Sequence, residues 1–513
     1  MAIIMSSFVL EFFGVVTIVL LGVYLYFKLF IYNYWEKNGV QYIKPIVPIG
    51  NILNAVIGKE HIGVCFEKGY EKLKKYRYGG LYTLHKPSLL IADLDLVKMV
   101  LTKEFAHFHD RGLYCNESFD PLSGHIFLLS GQKWKNLRAK LTPTFTSGKL
   151  KGMFGILTGK GDHLCEIIEG HNQEVIEVKD MMARYATDVI FTIAFGVNPN
   201  SLDNPQSEFR YYGKKIFEIS SVKTALAFFG PSIMDFFKIP LIDRGSSKFF
   251  IKVFTETFEY RLKNNVRRKD FLDYLLQLVN YGRLEEDDDE TSTIADSLHG
   301  KITFLEAAAQ AFVFYLGGFE TSSATISHCL YELAIHQEIQ EKVREEIKLA
   351  LEKHGQLSYD SLNSMSYLHQ CVSETMRLYP ALAILNRVCT KDIDLPTTNL
   401  HVKKGVDVVI PVLGIHLDPE IYPDPLKFDP ERFTPENIAA RHSYAYLPFG
   451  EGPRICIGMR MGLAQTKVAL ASVLNKFRVT LGPNTPVPLV INPKSSVTYS
   501  SEEINLRFER LSI

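Results

Sequence analysis

This sequence has no net charge. Its 513 residues include 57 Lys and Arg against 57 Asp and Glu, which gives a formal net charge of zero. A chain without net charge exerts no long-range attraction on nucleic acid, so any basic surface must be local. We therefore expect no nucleic-acid partner.

Cysteines are few and widely separated. The seven stand at positions 65, 115, 165, 329, 371, 389 and 456. An odd number, spread through a large chain, argues against a disulfide framework. We therefore expect the bulk of the protein to lie in a reducing compartment.

Domain linkers and repeats are also missing. We find no segment rich in Pro, Ser and Gly that would divide the chain, and no repeat of fixed period. The sequence therefore predicts one large domain over residues 51–513, preceded by an N-terminal segment 1–32 and a hinge 33–50.

One long apolar run is present at the N-terminus. Residues 8–32 are nearly all apolar, with Glu11 near one end and Lys28 near the other, and about 20 apolar residues span a bilayer. Lys28, Lys37 and Lys44 follow the run instead of preceding it, unlike in a cleaved signal peptide. The positive-inside rule then predicts a membrane anchor with a cytosolic body. The alternative is a hydrophobic helix buried in the globule.

A loop near the C-terminus surrounds the last cysteine. Residues 448–458 read Pro-Phe-Gly-Glu-Gly-Pro-Arg-Ile-Cys-Ile-Gly, and this Gly and Pro content favours a rigid loop. The composition of 463–474 predicts a helix starting just after Cys456, whose N-terminus would lower the pKa of the thiol. No second Cys or His stands at zinc-binding spacing, whereas an iron held by a porphyrin needs one protein ligand. The alternative is a buried structural cysteine in a turn.

The most helical stretch is 303–340, which opens with a Thr-x-x-Glu capping box. Gly317 and Gly318 stand in mid-helix, where each costs about 1 kcal/mol relative to alanine. A ligand lying against the bare backbone would compensate. Glu320 and Thr321 follow and can pass protons, and Thr321 can also bond to a carbonyl of the preceding turn. The alternative is a glycine kink with capping-type side chains.

The cysteine loop resembles the haem-binding signature of the cytochrome P-450 family, Phe-x-x-Gly-x-Arg-x-Cys-x-Gly. The resemblance implies a mainly α fold with a smaller β-rich region, a triangular prism that holds haem b between the long I helix and the L helix after the cysteine. It makes Cys456 the axial iron ligand. It assigns further haem contacts in this loop to Phe449, Gly450, Gly452, Arg454 and Gly458.

A second motif is Trp134-x-x-x-Arg138, whose two side chains share a helix face. Alone it would indicate a core Trp and a solvated Arg. Beside the cysteine loop it resembles the C-helix motif of the family, which implies that both side chains bind the haem propionates. The resemblance adds Arg387 and Arg454 as propionate partners and, less directly, Arg111.

The glycine pair and the acid-alcohol pair resemble the I-helix motif Ala/Gly-Gly-x-Asp/Glu-Thr, which implies that Glu320 and Thr321 deliver protons. Gly317 replaces the commoner alanine and should enlarge the groove.

Glu374-x-x-Arg377, with Arg432 further on, resembles the Glu-x-x-Arg and Pro-Glu-Arg-Phe elements of the family. The resemblance implies a structural role, in which the three side chains hold the loop on the haem side in shape.

Three segments are expected around a substrate pocket. Residues 209–264 read as two helices, and the aromatic stretch 228–241 between them is either a second membrane contact or ordinary helix packing. The resemblance implies that this stretch is the mobile roof of the substrate pocket. Residues 381–386 and a hairpin tip at 492–500 would line the pocket. The acidic run 285–290 reads as a solvated loop without a function.

The resemblance implies a haem-thiolate monooxygenase that inserts one oxygen atom of O2 into lipophilic small molecules. The signature is most like that of insect microsomal members that oxidise plant toxins and insecticides, and endogenous lipids or hormones are further substrates to consider. The expected location is the endoplasmic reticulum membrane. The alternatives are a haem-thiolate isomerase or dehydratase, and a non-catalytic protein that binds haem or lipophiles.

The chain carries no flavin or nicotinamide domain, so the electrons are expected from NADPH through the separate membrane-bound NADPH-cytochrome P-450 reductase. Cytochrome b5 is a further candidate partner. Docking is expected on a basic face around Lys133, Lys135, Arg138 and Arg460.

Overall fold

The computed structural model describes residues 2–171, 174–284 and 300–511, and the acidic run 285–290 lies outside them. The fold is mainly helical with a smaller β-rich part, as predicted. The α-helices, numbered in chain order, are α1 Ala2–Tyr26, α2 Tyr34–Lys37, α3 Leu53–Val56, α4 Ile62–Leu73, α5 Leu94–Lys98, α6 Gly131–Leu141, α7 Ser147–Gly170, α8 Val178–Ile190, α9 Glu208–Lys215, α10 Ser221–Phe229, α11 Pro231–Phe237, α12 Arg244–Lys263, α13 Phe271–Asn280, α14 Phe304–Ile335, α15 Gln337–His354, α16 Tyr359–Ser364, α17 Ser366–Leu378, α18 Val412–His416, α19 Pro435–Ala440 and α20 Met459–Lys476.

Short strands form three sheets in the described residues. The strands are β1 Tyr78–Thr83, β2 Lys86–Ile91, β3 Val175–Glu177, β4 Leu385–Val388, β5 Ile393–Asp394, β6 His401–Val402, β7 Asp407–Ile410, β8 Phe477–Leu481 and β9 Asn505–Arg510. The largest sheet has the order β1-β2-β7-β4, in which only β2 and β7 pair in parallel. Strands β3, β9 and β8 form an antiparallel sheet, and β5 pairs with β6.

Helix α1 stands apart from the packed body. It begins the one candidate membrane span among the described residues, Glu11–Lys37, and none of the most apolar part of that span is buried. Large side chains such as Phe13 and Ile18 are exposed. The alternative of a buried core helix is therefore wrong, and the exposed apolar surface is consistent with a membrane anchor.

Helix α14 runs through the middle of the larger hydrophobic core, between α8 and α20. The expected capping box is present, with Thr303 accepting from the Glu306 amide and Glu306 accepting from the Thr303 amide. Helix α14 ends at Ile335 and α15 begins at Gln337, so the predicted helical stretch 303–340 is interrupted only at His336. There the side chains of Gln337 and Gln340 donate to the carbonyls of Ala334 and Leu333, replacing the next turn of helical hydrogen bonds.

The prediction of two helices over 209–264 is wrong, because this stretch contains four, α9 to α12. Gly230 and Pro231 separate α10 from α11, since proline is compatible with a helix at its first position. Phe229 is buried, whereas Phe236 and Phe237 are exposed. The aromatic stretch thus contributes to the core at one end and to the surface at the other.

Glu374, Arg377 and Arg432 lie together at the C-terminal end of α17. Nε and Nη2 of Arg377 donate to the Glu374 carboxylate at 2.7 and 2.8 Å, and both side chains are fully buried. Nε of Arg432 lies 3.4 Å from the same carboxylate. Arg377 also donates to the carbonyl of His416 (2.8 Å), which ties α17 to α18.

We predict that Arg377→Met lowers the free energy of unfolding by about 3–5 kcal/mol, because it leaves the Glu374 carboxylate buried without its main partner. Haem retention should be lost as well. Haem content after purification and thermal unfolding followed by circular dichroism would measure both effects.

The matched control is Lys252→Met, which breaks an exposed pair with Glu256 at 3.8 Å. That variant should change stability by less than about 0.5 kcal/mol. Equal behaviour of the two variants would contradict the structural role of the buried pair.

Candidate functional site

A cavity of about 340 Å³ lies between α14 and the cysteine loop, and its wall is mainly apolar. The thiol of Cys456 is exposed, and the surface to which it is exposed is this cavity. The loop residues Pro448, Phe449 and Gly450 also line it, as do residues 454–458. A single cysteine therefore faces a mainly apolar cavity.

The cysteine loop keeps its shape because two glycines have positive φ. Gly450 has φ +69° and Gly452 has φ +75°, where side chains other than glycine are strained. A Cβ on Gly452 would lie 2.0 Å from the carbonyl oxygen of Leu101. The Cys456 amide donates to the Phe449 carbonyl (2.9 Å), which closes the loop around the sulfur. Gly452 does not line the cavity and contributes only to the shape of the loop.

Helix α20 begins at Met459, just after Cys456, as predicted. The expected lowering of the thiol pKa is wrong. Burial raises the pKa of Cys456, and this exceeds the lowering by the Gly458 amide and by Arg138 and Arg111.

Four arginines meet at the cavity wall. Arg387 and Arg454 are buried, and Arg111 and Arg138 are half-buried. Arg111 donates to the carbonyl oxygens of Phe127 (3.1 Å) and Arg454 (3.3 Å), and Arg138 donates to that of Ile455 (2.9 Å). The arginine cluster, as we call Arg111, Arg138, Arg387 and Arg454, therefore touches the backbone of the cysteine loop.

The arginine cluster carries more positive charge than its protein neighbours offset. Among the described residues its one carboxylate within ion-pair distance is Asp110, 3.3 Å from Nη2 of Arg454. Nε of Arg387 and Nη1 of Arg454 are buried without a hydrogen-bond partner. Burial, together with repulsion from Arg111, lowers the pKa of Arg454 to about 9 and that of Arg387 well below its usual value. An anion at this wall would offset the repulsion between the guanidinium groups and would accept hydrogen bonds from the unpaired nitrogens.

Trp134 and Arg138 lie on the same face of α6 and both line the cavity, as predicted. The guanidinium of Arg454 stacks on the Trp134 ring at 4.0 Å from its centroid. Stacking on an aromatic face holds a guanidinium in one orientation.

Helix α14 turns its two glycines to the cavity. Nothing lies within 4 Å of a Cβ built on Gly317, whereas a Cβ on Gly318 would lie 2.5 Å from Cδ1 of Ile190. Gly317 therefore opens space in the cavity, and Gly318 permits close packing against α8. Thr321 also lines the cavity, and its hydroxyl donates to the Gly317 carbonyl as expected.

Glu320 does not line the cavity, whereas Thr321 does. The two side chains expected to act as an acid-alcohol pair therefore point to different sides of α14. The carboxylate of Glu320 faces Lys179 and Arg210, on α8 and α9, and its Oε2 is buried without a hydrogen-bond partner. Burial raises the pKa of Glu320 to about 8, although the two cations oppose the shift. The group can therefore hold a proton near neutral pH.

The expected pocket walls are present. Residues 381–387 line the cavity, and so do residues 493–496 at the tip of the predicted hairpin. That hairpin is held by the Asn492 amide, which donates to the Tyr499 carbonyl (2.6 Å). Sequence reasoning missed Asp110, which contacts Arg454, and missed His61 and Lys494, which line the cavity. No local motif marks these residues, because only folding brings them to the site.

The donor set fits haem b. A lone thiol suits a ring-held iron that needs one protein ligand, and the unpaired guanidinium nitrogens suit the two propionate carboxylates. The bare backbone at Gly317 gives a flat ring room on the other side. Fold and site together thus define a haem-binding oxidoreductase.

Comparison with known proteins identifies the family. Residues 42–508 match the family model described as Cytochrome P450. The chain is 40% identical over 505 residues to the Drosophila melanogaster protein named Probable cytochrome P450 6a14, which covers 96% of this chain and 98% of that protein. It is 41% identical over 489 residues to Cytochrome P450 6A1 of Musca domestica, covering 93% and 94%. It is 38% identical over 499 residues to Cytochrome P450 6k1 of Blattella germanica, covering 95% of each.

The chain belongs to the cytochrome P-450 family. The protein is therefore an oxidoreductase of the monooxygenase type with haem b as its cofactor. The predicted likeness to insect members is confirmed by these relatives.

We predict opposite outcomes for two Gly→Ala variants in the site. Gly452→Ala should lose haem, because its Cβ would collide with the Leu101 carbonyl and its backbone has positive φ. Gly317→Ala should fold and retain haem, since its Cβ enters open space, but should bind bulky ligands less well. Haem absorbance per protein and ligand titration would measure the two effects. Haem retention by Gly452→Ala would show that the loop tolerates a different shape.

Proposed function

We propose that the protein is a membrane-anchored haem-thiolate monooxygenase that oxidises lipophilic small molecules, including xenobiotics such as plant toxins and insecticides. One observation carries the proposal. A single cysteine and an under-compensated arginine cluster face the same apolar cavity. When bound, haem b supplies the oxygen-activating iron chemistry, in which one oxygen atom enters the substrate and the other leaves as water.

In this proposal Cys456 provides the thiolate ligand. A metal cation stabilises a thiolate, so binding would oppose the rise in the pKa of this thiol. Arg111, Arg138, Arg387 and Arg454, with the indole of Trp134, would hold the propionates. Phe449, Gly450 and Gly458 would contact the ring, and the apolar wall would exclude water.

Thr321 and Glu320 would share the delivery of protons. Thr321 holds its hydroxyl at the cavity wall by donating to the Gly317 carbonyl. Glu320 would act from the other side of the helix, where its raised pKa keeps a proton available and Lys179 and Arg210 face it. Because Glu320 lies off the cavity, its proton would reach Thr321 through a side-chain movement or an intervening water.

The electrons would come from NADPH through a separate flavoprotein reductase, with cytochrome b5 as a further candidate donor. Lys135 on α6 is exposed, whereas the neighbouring Lys133 is paired with Glu117 at 2.7 Å. Arg460 is exposed at the start of α20, but Arg138 is half-buried against the cysteine loop. We therefore propose that the reductase binds mainly to the positive charges of Lys135 and Arg460, and less to those of Lys133 and Arg138.

The proposed location is the endoplasmic reticulum membrane with the body in the cytosol. Support comes from α1 and from the lysines that follow it. Phe236 and Phe237 on α11 are exposed by 79% and 66%, which supports a second contact with the bilayer. Residues 51–513 would then form the catalytic domain, after the anchor 1–32 and the hinge 33–50.

We predict that Cys456→Ser abolishes the Soret band of a thiolate-ligated, carbon monoxide-bound haem, because serine does not provide a soft anionic ligand. Substrate oxidation should be lost with it. The spectrum of the reduced, carbon monoxide-treated protein would be recorded beside the wild type. A normal band with continued hydroxylation would refute the assignment of the ligand.

We predict that Lys135→Glu reduces reductase-supported NADPH consumption several-fold at low salt and leaves haem content unchanged, because it reverses an unpaired charge on the docking face. Lys353→Glu, an exposed charge reversal on α15, is the matched control and should have little effect. Turnover that is the same in both variants at every salt concentration would rule out this docking face. Substrate-dependent NADPH consumption in the wild type also separates a monooxygenase from an isomerase or a non-catalytic binder.

A further inference from the structure

The segment just before α6 is a buried loop. Residues 124–129 belong to no helix or strand, and all of them except Phe127 are buried. Ile126 and Phe127, at the centre of this 124–129 loop, line the cavity. Buried backbone N–H and C=O groups that have no helix or strand partner are costly unless other groups bond to them. The loop therefore depends on side chains from elsewhere in the fold to keep its place in the cavity wall.

Gln310 on α14 supplies two of the partners that the loop needs. Its Oε1 accepts from the N–H of Ile126 (3.0 Å), and its Nε2 donates to the carbonyl of Gly124 (3.2 Å). Nε2 also donates to the carbonyl of Glu306, one turn earlier in the helix (2.9 Å). A carboxamide has two N–H donors and one oxygen acceptor, and all of them are used here. Because Gln310 is fully buried, water does not compete for these hydrogen bonds.

The arginine cluster holds the other side of the loop. Arg111 donates to the carbonyl of Phe127 (3.1 Å), and its guanidinium lies over the Phe127 ring, 4.5 Å from the centroid. Arg454 donates to the carbonyl of Leu129 (2.9 Å). The loop is therefore fixed between the arginine cluster and α14, and Gln310 makes the polar contacts on the α14 side.

Gln310 lies on the side of α14 that faces the cavity. Positions 310, 314, 317 and 321 follow one another at intervals of three or four residues, so they share one helix face. Phe314, Gly317 and Thr321 line the cavity, whereas Gln310 is covered by the loop. Gln310 precedes Gly317 by about 10 Å along the helix axis. The loop thus marks the end of the cavity about two helical turns from the glycine pair.

We propose that Gln310 is a positioning residue, whose carboxamide holds the 124–129 loop against α14 so that Ile126 and Phe127 restrict where a substrate lies relative to Cys456. Gln310 acts only through the backbone of the loop. The inference rests on the proposed monooxygenase function and identifies a residue that controls the site of oxidation on the substrate. Without Gln310, ligands that reach this wall would have to order it on binding, and a substrate could take more orientations.

The test uses the full-length, haem-loaded protein and two probes, imidazole and 1-hexylimidazole. Both bind haem iron through a ring nitrogen, and the hexyl tail of the second extends into the apolar cavity. Dissociation constants would be taken from the ligand-induced change in haem absorbance. Gln310→Met keeps the length of the side chain and removes both hydrogen bonds to the loop. It should lower the preference for 1-hexylimidazole over imidazole several-fold and leave the imidazole constant unchanged.

Gln340→Met is the matched control. Gln340 on α15 is also buried, accepts from the N–H of Val479 (2.9 Å) and donates to its carbonyl (2.8 Å), but it does not border the cavity. Both variants should lower the temperature of unfolding by a similar amount, because each removes two hydrogen bonds from buried backbone groups. We expect the ligand preference to change in Gln310→Met and not in Gln340→Met.

Gln310→Glu gives a reversible form of the test. A protonated carboxyl group has one donor and one acceptor, as the loop requires, whereas a carboxylate can only accept. Because burial raises the pKa of a glutamate, this variant should resemble the wild type at about pH 6 and Gln310→Met at about pH 8.5. The ratio of the two dissociation constants cancels the protonation of the imidazole ring, which is alike in both probes. His125, within the loop, stays neutral over this range, since burial lowers its pKa to about 3.

A ligand preference that Gln310→Met leaves unchanged, or that Gln340→Met lowers equally, would overturn the inference. If Gln310→Met does not retain haem, the pH series of Gln310→Glu decides, and a preference that does not change with pH contradicts the assignment. Product analysis with dodecane, whose methylene C–H bonds are chemically alike, gives a second readout, since Gln310→Met should spread oxidation over more positions. These negative results leave the proposed function intact, whereas an abnormal reduced, carbon monoxide-bound spectrum of the wild type would contradict it.

Discussion

The site depends on an electrostatic imbalance, the burial of several guanidinium groups around one cysteine with little negative charge to offset them. Asp110 is the carboxylate that reaches Arg454, while Arg387 keeps a buried nitrogen without a partner. Uncompensated charge of this kind is expensive in a low-dielectric interior and lowers the pKa of the arginines. A dianionic cofactor at this wall would relieve the strain, so cofactor binding and stability of the site are expected to be linked.

The rest of the fold keeps these groups in place. Helix α6 carries Trp134 and Arg138, strand β4 carries Arg387, and the cysteine loop carries Arg454. The buried Glu374–Arg377 pair connects α17 to α18. Helix α14 forms the opposite wall, where Gly318 allows close contact with α8 and Gly317 leaves space for a ligand. Preorganisation of this kind places the functional groups without a further ordering cost on ligand binding.

Several expectations were confirmed because they depend on local chemistry. The glycine-rich loop before a helix, the capping box at Thr303 and the shared face of Trp134 and Arg138 all follow from short-range rules. The errors have physical causes that lie outside the local sequence. The thiol pKa rises because the folded protein surrounds Cys456. Glu320 turns toward α8 and α9, which a motif of adjacent residues could not indicate.

The sequence by itself determined the family, the cysteine of the loop, the apolar N-terminal helix and the predominance of helices, because each depends on residue type and spacing along the chain. Only the tertiary structure decided which charges meet. It brought Asp110 to Arg454 and separated Glu320 from the cavity that Thr321 lines. The reason is that Coulomb interactions and desolvation depend on distance and burial in three dimensions, which positions far apart in the chain acquire only when it folds.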